Sequence, residues 1–315
     1  MLQILVNTQF DFVRWRRWAY LISAVAILAG LVHIAYQGGL RYGIDFSGGT
    51  LLQVRFERPI TVDAVRGALA RVQAGESVIQ EFGDAQEYLI RIPVGGHTLE
   101  ELSKRVDGGL REAGLPPFEV RRLEFVGPQV GRDLQWDALQ AVLWGMVGIL
   151  VYTAMRFDFK GGVAAIIALL HDVVISVGAM SMAHREMSLP VLAALLTIVG
   201  FSINDTIVTF DRIRENRGRG LRRGETLADV INAAINQTLS RTILTSLTVF
   251  LVVAVLFIFG GEVLRDFAFV LLVGVVTGTY STIFVAAPII LDWENWSQAR
   301  QRGGKKAVVK AGAGR

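Results

Sequence analysis

Six long apolar segments dominate this 315-residue chain and constrain its fold more than any other feature. Crossing a lipid bilayer as an α-helix takes about 20 consecutive, mostly apolar residues. Hydrophobic residues make up 52% of the chain and charged residues only 19%, which is too apolar for an ordinary soluble domain. The sequence therefore predicts a multi-pass membrane protein with transmembrane helices at 18–36, 138–155, 162–183, 190–210, 241–259 and 267–291.

The basic residues of the short connections predict the orientation of the chain. Lysine and arginine are concentrated in the cytoplasmic loops of membrane proteins. They cluster in "RWRRW" before the first segment and in alternate connections, whereas "HREMS" and "GGEVLRD" hold one arginine each. Both termini are therefore predicted to be cytoplasmic. The first segment lacks a small-residue cleavage site and is interpreted as a retained anchor, with a cleaved signal peptide as the alternative.

One long polar region, residues 38–135, is predicted to lie on the external side. Its pattern is strand, helix, strand, strand, helix, strand: "TLLQVRFE" alternates as a half-buried strand, and "TVDAVRGALARV" has helical spacing. "SVIQEF" and "EYLIRIPV" flank "GDAQ" as a hairpin, and Thr98 with Glu101 forms a capping box before the second helix. This order predicts an α+β, ferredoxin-like external domain.

Two features complete the predicted organisation. Thr226, with Asp229 three residues later, predicts the start of a cytoplasmic helix that runs into the fifth segment. The C-terminal tail is basic and rich in small residues, so we predict that it is disordered and binds either anionic membrane lipid or a specific partner. The chain divides accordingly into 1–37 (cytoplasmic N-terminus and first transmembrane helix), 38–135 (external domain), 136–292 (five further transmembrane helices, with a basic cytoplasmic loop at 212–240) and 293–315 (basic cytoplasmic tail).

Composition and motifs exclude several classes of function. The chain has no cysteines, so it has neither disulfides nor thiol chemistry. Its four histidines lack the spacing of metal ligands, and no Walker motif, nucleophile elbow or HExxH sequence occurs. We therefore predict that the protein is not an enzyme and has no cofactor, no metal and no nucleic-acid partner.

The fourth apolar segment carries a carboxylate inside the membrane. In "IVGFSINDTIVTFDRIREN", Asp205 lies about four residues, or roughly 6 Å of helical rise, inside the predicted inner boundary. A similar count along the fifth segment places Arg241 just inside that boundary, so two antiparallel helices can bring the charges together. Burying either charge alone would be unfavourable, and pairing offsets part of that penalty. A static ion pair that fixes helix packing is the alternative to a proton carrier.

Polar side chains around this predicted pair favour a function in proton movement. Residues three or four positions apart share a face of an α-helix, so Ser202 and Thr209 are predicted to lie beside Asp205. Asp205 is therefore the candidate proton carrier, and Arg241 is its partner in the relay. The supporting polar residues are Ser202, Asn204, Thr206, Thr209, Gln237 and Ser240.

The third apolar segment carries a second buried carboxylate. In "LLHDVVIS", Asp172 lies about ten residues from the predicted inner surface, near the bilayer midplane. An aspartate there costs roughly 2.5–3.5 kcal/mol on insertion-based scales, so a function is expected. Asp172 is a further candidate for the proton relay, and a hydrogen bond to a neighbouring helix is the alternative. The adjacent His171 is interpreted as a neutral packing residue whose hydrogen-bonding groups are satisfied.

Three further features have structural interpretations. Asp211, beside arginines at the inner end of the fourth segment, is predicted to be a solvated or paired charge. Gly274 and Gly278 in "GVVTG" form a small-residue face suited to close helix packing. "RYGIDFSGGT", residues 41–50, joins the first segment to the external domain, and its adjacent glycines permit a tight turn.

Four stretches together resemble the SecF branch of the SecD/SecF family of bacterial protein-export proteins. They are "YGIDFSGGT", "FVGPQVGRDL", "GFSINDTIVTFDRIREN" and "NQTLSRTILTSLTV", and they occur in the order and places typical of the family. Ser47 stands where many relatives have threonine, and we expect little consequence. The family-motif residues carried over are Gly43, Asp45, Phe46, Gly48, Gly49, Asp211 and Arg212.

The resemblance implies a fold, partners and a function. The family belongs to the proton-coupled resistance-nodulation-division superfamily, whose folds are built from six-helix halves, so this chain would be one half and SecD the other. In the family, the residues corresponding to Asp205 and Arg241 are implicated in proton movement. The implied partners are SecD, the SecYEG translocon, unfolded preprotein and membrane lipid, in a bacterial inner membrane, where the external domain engages preprotein and the proton-motive force completes its translocation.

Two other functions fit the same composition. One is a proton-coupled exporter of small molecules or lipids, although such transporters generally carry larger external domains in both halves. The other is a structural scaffold of the translocon, in which the buried charges only fix helix packing. The sequence does not distinguish a proton from a sodium ion as the coupling ion, since sodium could bind to the same carboxylate.

Overall fold

Six helices in the described part of the computed structural model are long and apolar enough to cross a membrane, as predicted. The last of these six helices covers Leu264–Arg300. The structure describes residues 8–72, 74, 77–92, 99–220 and 224–312. In chain order the elements are α1 (Arg16–Tyr36), α2 (Ile44–Ser47), β1 (Gly49–Phe56), α3 (Val62–Arg71), β2 (Val78–Phe82), β3 (Asp84–Ile92), α4 (Leu99–Glu112), β4 (Phe118–Val126), α5 (Pro128–Arg156), α6 (Phe159–Met182), α7 (Leu189–Gly218), α8 (Leu227–Phe259), α9 (Gly261–Ser281) and α10 (Ala287–Gly312).

The membrane helices divide into an interior and a periphery. About half of the apolar stretch is buried in α6, in α7 and in the last membrane helix, whereas α1, α5 and α8 expose most of theirs. Glycines permit the closest approaches: a Cβ on Gly30 of α1 would lie 2.8 Å from the Cα of Gly178 on α6. A Cβ on Gly278 would lie 3.1 Å from the Cβ of Ser202 on α7, which confirms the predicted close packing of the "GVVTG" face.

α7 and α8 extend past the predicted membrane boundaries at their basic ends. Thr226 Oγ1 accepts a hydrogen bond from the Asp229 backbone N at 3.3 Å, and Asp229 Oδ2 accepts one from the Thr226 backbone N at 2.8 Å. This capping box confirms the predicted start of α8, which continues into the membrane. Most of the basic segment 212–240 is therefore helical, and Arg222 and Arg223 lie outside the described residues.

The last membrane helix changes its hydrogen-bonding pattern partway along. α9 ends at Ser281, a π-helical turn occupies Thr282–Ala286, and α10 follows. π-helical turns are rare and are frequently found at functional sites. This one begins beside a serine that contacts a buried carboxylate, as described below.

Residues between α1 and α5 form a four-stranded antiparallel sheet in the order β2-β3-β1-β4. α3 and α4 pack on one face, where Val65 and Leu110 meet Val54 and Tyr88 in a buried core. This topology confirms the predicted ferredoxin-like domain. The hairpin turn is tighter than the "GDAQ" loop predicts, because Gly83 adopts φ +78° and β3 begins at Asp84. The predicted cap at Thr98 lies outside the described residues.

The glycine motif joins the sheet to the membrane helices. Gly49 has φ +133°, and a Cβ there would lie 2.7 Å from the carbonyl oxygen of Ile92 on β3. Phe46 is buried, and its carbonyl oxygen accepts a hydrogen bond from Gln135 of α5 at 2.7 Å. Asp45 Oδ2 accepts one from the backbone N of Leu189, the first residue of α7, at 2.9 Å. The motif is therefore a fixed joint among β1, α5 and α7.

Two ion pairs join the sheet domain to the α6–α7 connection and that connection to α9. Arg91 of β3 pairs with Glu186 in the α6–α7 connection, and the neighbouring Arg185 pairs with Asp266 of α9. Burial lowers the pKa of the Arg91 guanidinium, and the Asp266 carboxylate opposes that effect. The sheet is thus held against the same end of α6, α7 and α9.

The C-terminal tail differs from its prediction of disorder. α10 continues through the basic tail as a helix to Gly312. Its residues follow directly from the last membrane helix, and a helix that has already formed extends at the cost of fixing only one further residue at a time. The composition of the tail, which is basic and rich in glycine and alanine, does not show that a membrane helix continues into it.

Candidate functional site in the helix bundle

Asp172 is fully buried between α6, α7 and α9, and both of its carboxyl oxygens have hydrogen-bond partners. Ser202 of α7 and Ser281 of α9 donate to Asp172 Oδ2 at 2.6 Å and 2.7 Å. The other oxygen, Oδ1, lies 2.8 Å from Nδ1 of His171. These partners satisfy both carboxyl oxygens and offset the penalty of burying the group.

His171 continues this network toward α1. Its Nε2 lies 2.9 Å from Ser23 Oγ, and Ser23 lies 3.3 Å from the hydroxyl of Tyr280. The imidazole also stacks on the Tyr280 ring, with centroids 6.0 Å apart and planes 20° apart. Both ring nitrogens therefore have polar partners, which agrees with the satisfied state predicted for this residue.

Asp205 is buried on α7, one helical turn after Ser202, and its environment differs from that of Asp172. Its Oδ2 has no hydrogen-bond partner among the described residues. The carboxyl lies beside Ser246 of α8 and interacts electrostatically with Arg241. Among the described residues, Asp205 and Arg241 form no direct ion pair. The two charges therefore interact at a distance, without the contact that the sequence predicted.

The supporting polar residues of α7 separate into two groups. Ser202 binds Asp172 rather than Asp205, and Thr206 lies 3.0 Å from Thr282 at the start of the π-helical turn. Thr209 is buried on the same helix, one turn after Asp205. Asn204 is exposed on the outer surface of the bundle. The cluster predicted around Asp205 is thus partly a cluster around Asp172.

A polar cleft of about 500 Å³ opens between the basic ends of α7 and α8. Arg241 is exposed and lines it, together with Gln237, whose Oε1 accepts a hydrogen bond from Asn216 at 3.1 Å. Ser240 is half-buried next to Arg241. The cleft reaches Val208, one turn from Asp205, and its lining residues are Val208, Asp211, Arg212, Arg214, Glu215, Gln237, Thr238 and Arg241.

Charged residues of the cleft rim have structural partners. Asp211 pairs with Arg156 of α5 at 2.8 Å, which agrees with its interpretation as a paired charge. Arg212 pairs with Glu215 at 2.8 Å on its own helix. Asp211 therefore links the basic end of α7 to α5, and Arg212 is paired within α7. The other motif residues lie at the sheet junction.

Sequence reasoning missed part of the Asp172 network. Ser23, Ser281 and Tyr280 come from segments distant in sequence, and each is an ordinary residue in an apolar helix. The signal that could have revealed a site is the adjacent pair His171–Asp172 near the bilayer midplane, since polar groups there need partners. Nothing in the sequence marks the π-helical turn.

This bundle with two buried carboxylates, joined to a ferredoxin-like sheet, defines a multi-pass membrane protein of the resistance-nodulation-division type. The chain belongs to the SecD/SecF family of protein-export membrane proteins. The family model "Protein export membrane protein SecD/SecF, C-terminal" matches residues 109–296, and "SecD/SecF GG Motif" matches residues 37–60. These matches confirm the resemblance carried by the four sequence stretches.

Known relatives and a solved structure agree with this assignment. The chain is 47% identical over 288 residues to the protein translocase subunit SecF of Magnetococcus marinus, covering 90% of this chain and 92% of the relative. It is 38% identical over 287 residues to the SecF subunit of Escherichia coli O157:H7, covering 90% and 87%. The crystal structure of the translocon-associated SecDF from Thermus thermophilus matches with TM-score 0.81 and 39% identity. That match covers 93% of this chain, which spans only 40% of the solved one.

Proposed function

We propose that this protein is an accessory, non-enzymatic subunit of a bacterial protein-export machinery. It acts with SecD and the SecYEG translocon to complete the translocation of unfolded preprotein, and the proton-motive force drives it. It lies in the inner membrane with both termini cytoplasmic. The observation that carries the proposal is the buried Asp205 carboxyl, which has an oxygen without a hydrogen-bond partner among the described residues, one turn from a polar cleft.

Asp205 is the proton carrier in this proposal. A carboxylate that keeps an unpartnered oxygen can bind a proton without first breaking an ion pair, because Arg241 stands off from it. When Asp205 loses its proton, its charge attracts the guanidinium across the gap, and when it gains one, the attraction ends. A charge crossing 100 mV releases about 2.3 kcal/mol, which can bias a two-state movement of α7 against α8.

Asp172 is the third member of the relay. Ser202 lies on the same helix as Asp205 and donates to Asp172, so α7 mechanically connects the two carboxylates. Gln237 and Thr238 line the cleft that supplies water to the inner end of the path. Thr206 and Thr209 keep the buried stretch of α7 polar on its inner face.

The sheet domain is the external part that engages preprotein. Asp45 accepts a hydrogen bond from the first residue of α7, the helix that carries Asp205. Arg91 adds an ion pair to the connection before α7. A displacement of α7 would therefore move the base of the sheet, which couples proton movement to the external domain.

The proposal is tested by preprotein release from energised vesicles that contain SecYEG, SecD and this protein. Asp205→Asn, which removes the titrating group at nearly constant size, should abolish the gradient-dependent part of release. Asp137→Asn is the matched control, because Asp137 is an exposed carboxylate on α5, away from the relay residues. Normal assembly with normal gradient-dependent release in Asp205→Asn would refute the proposal and favour a scaffold.

A further inference from the structure

We infer that His171 and Asp172 form a second proton-binding site, an imidazole–carboxylate dyad that gains and loses one proton separately from Asp205. The inference rests on the proposed proton-driven function and adds a residue that this function does not otherwise use. The two side chains are 5% and 0% exposed, and Nδ1 lies 2.8 Å from Oδ1. Each of the four polar atoms of the dyad has a hydrogen-bond partner.

Hydrogen-bond directions determine the protonation of one imidazole nitrogen. The Tyr280 hydroxyl donates to the carbonyl oxygen of Ala19 at 2.7 Å, because a carbonyl oxygen can only accept. The Tyr280 oxygen therefore accepts from Ser23 at 3.3 Å, and Ser23 Oγ in turn accepts from His171 Nε2 at 2.9 Å. Nε2 consequently carries a hydrogen.

With Nε2 protonated, the hydrogen between Nδ1 and Oδ1 is the proton that the dyad can release. Imidazolium with carboxylate and neutral imidazole with carboxylic acid contain the same number of protons, and both are neutral overall. Loss of the proton to water leaves the Nδ1 lone pair of His171 facing the Asp172 carboxylate, with a negative net charge. The contact then contains no hydrogen, so proton release and separation of the two side chains are coupled.

The surroundings stabilise both states of the dyad. Ser202 and Ser281 can donate to Oδ2 whether the dyad is neutral or negative. Among the described residues, no ion pair joins His171 or Asp172 to a further charged group. Titratable groups on the helices packed around them include Tyr20 of α1, which hydrogen-bonds Asp292, Asp205 of α7 and Tyr280 of α9. The same helices also carry charged residues toward their ends, which are Arg16, Arg17 and His33 of α1, Asp211, Arg212, Arg214, Glu215 and Arg217 of α7, and Arg265 and Asp266 of α9.

The position of the dyad gives its charge a mechanical effect. Ser202 places one partner of Asp172 on α7, the helix of the proton carrier. Ser281 places the other at the last residue before the π-helical turn. A change in the charge of Asp172 alters the strength of both bonds and so acts on α7 and on the last membrane helix together.

Nuclear magnetic resonance on the full chain in lipid nanodiscs, with ring-¹⁵N histidine, tests the inference. His171 is assigned with His171→Gln, or with Ser23→Ala if that variant is unstable. The expected result is a protonated Nε2 throughout, and an Nδ1 that loses its hydrogen as the pH is raised. Asp172→Asn should remove this change, and Asp205→Asn should leave it. An Nδ1 signal that is constant as the pH is raised, or unaffected by Asp172→Asn, would overturn the dyad.

The vesicle assay separates this inference from the proposed function. His171→Gln should shift the pH dependence of gradient-driven preprotein release by about one pH unit, which corresponds to a tenfold change in proton affinity. His184→Asn is the control, because His184 lies in the α6–α7 connection with φ +54°, which asparagine tolerates. If Asp205→Asn abolishes release while His171→Gln keeps the wild-type pH profile, only the dyad is wrong. If Asp205→Asn releases normally, the proposed function is wrong whatever the resonance data show.

Discussion

Asp172 and Asp205 are both buried in the bundle, yet their hydrogen bonding differs. Asp172 has partners on both oxygens, whereas Asp205 Oδ2 has none among the described residues. The sequence predicts that Asp172 lies nearer the bilayer midplane than Asp205. A charge without partners is most unfavourable at the midplane, so predicted depth alone would make Asp172 the stronger candidate for a function. The complete set of partners fixes the position of the Asp172 carboxyl, whereas the incomplete set at Asp205 leaves that carboxyl freer to change its partners.

A prediction at the residue scale concerns Gly49 in the sheet junction. Gly49→Ala should lower the free energy of unfolding by about 1–3 kcal/mol, because its φ of +133° is unfavourable for alanine and the new Cβ would meet the Ile92 carbonyl oxygen. Thermal unfolding of the full chain in detergent measures this.

Gly67→Ala is the matched control for Gly49→Ala. Gly67 lies on the exposed side of α3, with open space where the added methyl group would lie. Alanine there should stabilise the protein by about 0.5–1 kcal/mol, through helix propensity. A Gly49→Ala protein that melts at the wild-type temperature would contradict the interpretation of the motif as a fixed joint.

At the scale of elements, α7 connects the two ends of the molecule. Its first residue is held by Asp45 of the glycine motif, its middle carries Ser202 and Asp205, and its inner end lines the polar cleft. A single helix thus contacts the sheet domain, both carboxylate sites and the polar cleft. Movement of α7 is the simplest way in which this fold can transmit a change in proton occupancy.

The contact between Asp45 and α7 leads to a prediction on hydrogen exchange. Asp45→Ala removes an acceptor from the first turn of α7, which is worth about 1 kcal/mol and should speed amide exchange there roughly fivefold. Asp45→Asn keeps an acceptor oxygen and should exchange near the wild-type rate. Exchange at Leu189 that is equally slow in Asp45→Ala would mean that the motif does not hold this helix.

The elements show how far sequence reasoning reaches. Apolar length predicted the six membrane helices, and the strand–helix pattern predicted the sheet topology, because both depend on local periodicity. The partners of Asp172 were not predictable, since Ser23 and Ser281 come from helices far apart in the chain. Helical spacing placed Ser202 beside Asp205, but the packing of α6 against α7 gives that hydroxyl to Asp172 instead.

At the scale of the whole molecule, the chain is a six-helix unit that spans 40% of the solved SecDF relative. Asn204 and Arg241 are polar and exposed on neighbouring helices of the membrane domain. Polar groups that face lipid are unfavourable, so this face fits a protein partner better than lipid. The face of α5 that carries Trp144 and Leu143 is apolar and exposed, as a lipid-facing surface should be.

This difference between faces predicts the position of SecD. The chain contains no cysteine, so single cysteines can be introduced without a background reaction. Asn204→Cys should form disulfide crosslinks with cysteines scanned along the membrane helices of SecD, whereas Trp144→Cys should not. Crosslinking that is equal at the two positions, or stronger at Trp144→Cys, would contradict the prediction that SecD packs on the side of the bundle that carries Asn204.

The measurement that tests the central claim most directly is infrared difference spectroscopy of the SecD complex in lipid during a pH change. The account predicts a protonated-carboxyl band that appears as the pH falls, is lost in Asp205→Asn and persists in Asp137→Asn. The same band in Asp205→Asn as in the wild type would show that Asp205 carries no exchangeable proton. Asp205 would then be a packing residue, and the coupling would lie elsewhere in the complex.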